Sequence, residues 1–122
     1  MARILVIDDE EPIRRLLSQA LASAGHEVLE AADGREALRM HQERPSELVI
    51  TDILMPEQDG LEVIMALRRD TPDLKIIAMS GGGMFQQEAA LQMAEPLGAI
   101  ATLRKPFGMR SLLEVVMHVL HG

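Results

Sequence analysis

The feature that most constrains this chain is an alternation kept up from end to end. Short runs rich in β-branched and aliphatic residues are separated by longer runs with apolar residues at helical spacing. A helix between two strands carries the chain back to the starting edge, so successive strands pair in parallel and helices cover both faces of the sheet. The expected fold class is α/β, a doubly wound five-stranded parallel sheet with five helices in one domain, 1–122. Strand 1 is Ile4–Ile7, continuously apolar as a strand buried on both faces should be. Helix 1 opens at Pro12, carries Ile13, Leu16, Leu17, Ala20, Leu21 and Ala24 on its apolar positions, and stops at Gly25. Strand 2 follows at about Glu27–Glu30, helix 2 at Gly34–Gln42, strand 3 at Leu48–Thr51 and helix 3 from near Gly60 to just before Thr71-Pro72. Strand 4 is expected at Lys75–Met79, helix 4 at Gln86–Ala94, strand 5 at about Ala99–Leu103 and helix 5 at Ser111–Leu120.

Composition excludes several functions. Only two aromatic residues, Phe85 and Phe107, are present, so the core is aliphatic and surfaces for stacking nucleic-acid bases are nearly absent. A net charge of −7 repels phosphate backbones and anionic membranes, which argues against direct nucleic-acid or membrane binding. The absence of cysteine removes disulfides, thiolate metal sites and cysteine nucleophiles together. Met1-Ala2-Arg3 leads straight into a strand and four acids, neither a signal peptide nor a membrane span, so the expected location is cytoplasmic.

In a doubly wound sheet of order 2-1-3-4-5, strands 1 and 3 are neighbours, and ligands bind at the crevice beyond their carboxyl ends. Both ends carry acids here: Asp8 and Asp9 follow strand 1, and Asp52 follows strand 3. Clustered carboxylates repel one another unless a cation sits among them, and hard oxygen ligands without His or Cys suit Mg²⁺. Strand 4 ends in Ser80, and strand 5 leads to Arg104-Lys105-Pro106. A carboxylate nucleophile, a metal, a hydroxyl and a lysine are the parts that stabilise a transferring phosphoryl group. Taken singly, each has a plainer reading: helix-cap acids at Asp8-Asp9-Glu10-Glu11, a turn at Asp52, a loop at Ser80, a surface charge at Lys105. Their convergence on one edge favours the functional one.

The segments Ile4–Glu11 (ILVIDDEE), Thr51–Gly60 (TDILMPEQDG), Met79-Ser80-Gly81 and Lys105-Pro106-Phe107 resemble, in order and spacing, the signatures of response-regulator receiver domains, whose sheet is flavodoxin-like. The resemblance implies that Asp52 accepts a phosphoryl group from the phosphohistidine of a sensor histidine kinase or phosphotransfer protein in a two-component phosphorelay. It implies that Asp9 ligates Mg²⁺ directly, that Asp8 does so mainly through water, and that Asp52 and the Leu54 carbonyl complete the protein ligands. Ser80 would then hydrogen-bond a phosphoryl oxygen, Lys105 would pair with that group or with Asp52 before transfer, and the bond before Pro106 would be cis. The activity implied is that of a switch, with weak self-phosphorylation and autodephosphorylation, acting on a downstream protein target or an output domain. Thr102 stands where the family usually has an aromatic, so the aromatic half of the usual switch is missing. By the same resemblance Leu54 and Gly82 would flank the path of the attacking water, and since neither side chain can hydrogen-bond it, a long-lived phosphoryl group is expected.

Two rivals share the sheet. A haloacid-dehalogenase-type phosphatase also uses an Asp nucleophile and Mg²⁺, but needs a second acid two residues after the nucleophile, where this chain has Leu54. A flavodoxin-like FMN carrier cradles phosphate after strand 1, where Asp8-Asp9-Glu10-Glu11 would repel it. His26, His41, His118 and His121 are expected at the surface, away from the strand-end pocket. Helix 5 carries apolar residues over roughly 200° of its circumference, beyond the about 100° needed to face one core, which points to a contact surface.

Overall fold

The computed structural model describes residues 1–55, 58–81 and 92–121. Its strands are β1 (Arg3–Ile7), β2 (Glu27–Ala31), β3 (Leu48–Asp52), β4 (Leu54–Met55), β5 (Gln58–Asp59), β6 (Lys75–Gly81) and β7 (Ala101–Lys105). Its helices are α1 (Glu11–Ser23), α2 (Gly34–Glu43), α3 (Gly60–Asp70), α4 (residues 92–97) and α5 (Met109–His121). The main sheet runs β2-β1-β3-β6-β7, all parallel, which is the order 2-1-3-4-5 when its own strands are counted. β4 and β5 form a separate two-residue antiparallel hairpin between β3 and α3, absent from the sequence expectation.

Alternation along each strand divides the interior. Leu5, Ile7, Val49, Ile76 and Ala78 face one side and pack with Ala37 of α2 and Val63, Ile64 and Leu67 of α3. Ile4, Val6, Leu48, Ile50, Ile77 and Met79 face the other and pack with Leu17 and Leu21 of α1 and Leu112, Val116 and Val119 of α5. The wide apolar arc of α5 is largely used against this second face, where Leu113, Val115 and Leu120 are half-buried; Met117 stays exposed.

Helix ends follow local chemistry. At the end of α1 the Gly25 N–H donates to Ala22 and the His26 N–H to Leu21, the paired bonds of a Schellman cap, and Gly25 takes φ +96° to permit it. The same pair closes α4: Gly98 donates to Glu95 and Ala99 to Ala94, with Gly98 at φ +135°. Most of the helix expected at Gln86–Ala94 lies outside the described residues; the described part runs on past Ala94 to residue 97. Because Ala99 is consumed by this cap, the last strand occupies Ala101–Lys105 instead of Ala99–Leu103, and Lys105 becomes a strand residue.

His41 corrects the expectation of four surface histidines: it is 5% exposed, under the sheet edge. Its Nδ1 accepts from the Ser46 N–H at 3.1 Å, so the proton sits on Nε2 and faces Thr71 Oγ1 at 3.1 Å, joining α2, the turn before β3 and the end of α3. Burial lowers the His41 pKa below its ordinary 6.5, against a smaller opposing pull from Asp70. The unfolded chain therefore binds more protons over the interval below pH 6.5 than the folded one does. This contribution to stability is complete above that pH and is lost as the pH falls toward the folded-state value. In thermal melts at pH 7 and pH 5, wild type should lose more stability than His41→Gln, at a slope of at most about 1.4 kcal/mol per pH unit from this one group. Equal losses in the two proteins would assign the acid sensitivity elsewhere.

Candidate functional site

The site lies where β1 and β3, adjacent in the sheet, end at the same edge. Asp8 leaves β1 fully buried, and every group on it is engaged. Its N–H donates to Ala31, Oδ1 accepts from the Glu10 N–H at 2.9 Å, Oδ2 accepts from Lys105 Nζ at 2.9 Å, and its carbonyl accepts from Arg14 Nη1 at 2.8 Å. Asp52 is the last residue of β3 and 5% exposed; its Oδ2 accepts from the same Lys105 Nζ at 2.9 Å. One ammonium thus bridges two buried carboxylates.

Burial works against the charge on Lys105, but its hydrogen bonds to Asp8 and Asp52, and the charges of both, outweigh it and raise the lysine pKa above 10.5. Lys105 is therefore charged at neutral pH, and its contribution to stability, complete below pH 10.5, is lost as the pH rises from there through the raised folded-state value. The Lys105–Pro106 peptide is cis, as the resemblance implies. Ser80 on β6 is 1% exposed, and its Oγ has no hydrogen-bond partner among the described residues. It stands one step along β6 from Met79, the register partner of Asp52. A buried hydroxyl without a partner is costly unless something completes it.

Oxygens of Asp8, Glu10 and Asp52 lie within 4.8 Å of one another. Asp9 is exposed and stands outside this trio, and Glu10 at the pocket rim takes the third place. The donor set is all hard oxygen, which fits a small hard dication such as Mg²⁺. Leu54 enters the hairpin as the first residue of β4, two residues beyond Asp52. Gly82 lies outside the described residues. Thr102 lines a groove with Ile100, Val115 and His118 beside α5.

Two residues beside this cluster, Glu10 and Arg14, are not among the site residues expected from the sequence. Glu10 was hidden by its helix-cap reading. Arg14 carried a signal, because a cation in the first turns of a helix opposes the helix dipole and so asks for a specific partner.

Acids from two neighbouring strands and a lysine from a third thus meet at the switch point of a doubly wound sheet, the place where such folds bind their ligands. Residues 4–117 match the family described as response regulator receiver domain, and the chain belongs to that family. It is 39% identical over 121 residues to the DNA-binding transcriptional regulator NtrC of Azospirillum brasilense, covering 99% of this chain and 24% of that protein. It is 36% identical to the response regulator receiver protein CpdR of Brucella abortus, covering 98% of each. Among solved structures, the chemotaxis protein CheY4 of Vibrio cholerae superposes with a TM-score of 0.86 at 33% identity, again covering 98% of both chains. The chain thus spans about a quarter of the NtrC relative and nearly all of the other two. It is a receiver domain of two-component signalling, and the haloacid-dehalogenase-type alternative finds no support in these relatives. No helix among the described residues is long and apolar enough to cross a membrane.

Proposed function

We propose that the chain is a switch thrown by phosphorylation of Asp52. The observation that carries this is the ammonium of Lys105 bridging Asp52 and Asp8 in a buried setting, beside Ser80, whose hydroxyl has no hydrogen-bond partner among the described residues. The donor is a phosphohistidine on a sensor kinase or phosphotransfer protein. An oxygen of Asp52 attacks its phosphorus, the P–N bond breaks, and the imidazole leaves with the bonding electrons, so that Asp52 becomes an acyl phosphate. Asp8, Asp9, Asp52 and the Leu54 carbonyl, with Glu10 at the rim, would hold Mg²⁺, which supplies neutralisation of the charge gathering on the phosphoryl oxygens. Lys105 exchanges its bond to Asp52 for one to a phosphoryl oxygen, and Ser80 Oγ donates to another, which gives its buried O–H a partner at last. These residues position and neutralise, the chief demands of phosphoryl transfer. The domain changes its affinity for a downstream protein or output domain and makes no direct contact with nucleic acid. Because an acyl phosphate is cleaved by hydroxylamine and a phosphoester is not, the test is incubation with Mg²⁺ and acetyl phosphate followed by hydroxylamine. Uptake that needs Mg²⁺ and is reversed by hydroxylamine is expected, and a hydroxylamine-stable label would contradict the reading.

A further inference from the structure

The guanidinium of Arg14 holds the backbone of the acidic turn. It rises from the first turns of α1, with its own N–H bonded to the Glu10 carbonyl at 3.0 Å. Its Nη1 donates to the Asp8 carbonyl at 2.8 Å, and its Nε donates to Glu30 on β2 at 3.1 Å. The side chain is only 14% exposed, so the fork is held on both prongs in a partly buried setting. β2 is the neighbour of β1, with Glu30 in register with Val6 and Ala31 with Ile7. The arginine therefore ties the point where Asp8 leaves the sheet to the adjacent strand. The turn it restrains is short, since Asp8 Oδ1 accepts from the Glu10 N–H at 2.9 Å, and it sets the spacing of Asp8 and Glu10 against Asp52.

Resting on the cation reading above, we propose that Arg14 is a positioning residue for the Mg²⁺ site, acting through the Asp8 carbonyl and oriented by Glu30. A planar fork serves two acceptors from separate nitrogens in a fixed geometry, which the single rotatable ammonium of a lysine does not reproduce. Outer partners of this kind typically change metal affinity by about 10- to 100-fold. Electrostatics makes the sign of the effect diagnostic. A cation beside a dication site repels the ion, so removal of the Arg14 charge should, by Coulomb's law alone, tighten Mg²⁺ binding. Loss of positioning should weaken it.

The experiment is calorimetric titration of the full chain with Mg²⁺ in wild type, Arg14→Gln, Arg14→Lys and Asp52→Asn, with circular dichroism and melts on each. Arg14→Gln should remain folded and bind Mg²⁺ roughly tenfold more weakly. Arg14→Lys, which keeps the charge and the long stem, should also weaken binding and stands in if the glutamine variant does not fold. Binding by the Arg14 variants that equals or exceeds wild type, with Asp52→Asn impaired, overturns the role of Arg14 and leaves the cation site intact. A lower melting temperature with unchanged Mg²⁺ affinity has the same meaning, because it is what a purely structural arginine would give. Undiminished Mg²⁺ binding by Asp52→Asn overturns the cation site itself, and the role of Arg14 with it.

Discussion

Replacing Lys105 with alanine should destabilise the metal-free protein by about 3–5 kcal/mol and at the same time tighten its hold on Mg²⁺. The first effect follows from what the ammonium leaves behind. Asp8 and Asp52 are 0% and 5% exposed, and each spends a carboxylate oxygen on the one Nζ. Without it, two buried carboxylates face each other with no cation between them, a costly arrangement. The second effect follows because Lys105 and a dication draw on the same two carboxylates. Unit charges about 5 Å apart at an effective dielectric of about 20 interact by about 3 kcal/mol, and about 1.4 kcal/mol is a factor of ten, so tightening by roughly tenfold or more remains after relaxation. Melts with and without Mg²⁺ read both effects, since added ion should recover most of the lost stability. Weaker Mg²⁺ binding in a variant with unchanged circular dichroism would show instead that Lys105 shapes the cation site. The variant should still accept the phosphoryl group poorly, because the charge that follows the transferred oxygen is gone.

A second large effect is expected at Gly60, away from any charge. Gly60 begins α3, and its N–H donates to the Ile53 carbonyl at 2.8 Å. A Cβ there would collide with the carbonyl oxygens of Asp52 and Ile53 and with the Ile53 Cα, all backbone atoms that no rotamer change can move aside. Gly60→Ala must therefore displace either the start of α3 or the end of β3. The cost should be about 3 kcal/mol, at the upper end of overpacking. Since Asp52 itself forms the end of β3, phosphorylation should fall much further than folding does. Chemical denaturation and the acetyl phosphate assay together check this, and a stable Gly60→Ala that is phosphorylated at the wild-type rate would contradict it.

Gly60 also shows how far the sequence could be read. Its place at the head of α3 was legible from the helical spacing of Leu61, Ile64 and Leu67, but its closeness to Asp52 depends on the β4–β5 hairpin, whose two-residue strands are too short to leave a periodic trace. The main sheet was legible because ILVI, LVIT and KIIAM are apolar runs bounded by turn residues, and their order brought Asp8, Asp52, Ser80 and Lys105 to one edge. The last strand was displaced because Gly98 acts as a helix cap, drawing Ala99 into the exit from α4, which its apolar character disguised as strand. Glu10 and Arg14 were harder to place because the bond from the Glu10 N–H to Asp8 Oδ1 and the bond from Arg14 to the Asp8 carbonyl depend on the conformation of the turn, which residue spacing does not show. His41 was obscured for a related reason: its partners, Ser46 and Thr71, lie 5 and 30 residues away, and nothing local marks it as buried.

Everything proposed for the pocket depends on Asp52 being the residue that takes the phosphoryl group. Intact-mass measurement of wild type and Asp52→Asn after incubation with Mg²⁺ and acetyl phosphate tests it most directly, with circular dichroism showing that the variant is folded. Wild type should gain the mass of one phosphoryl group, and Asp52→Asn should gain none. Equal gain by the two proteins would place the nucleophile on another residue and contradict the account.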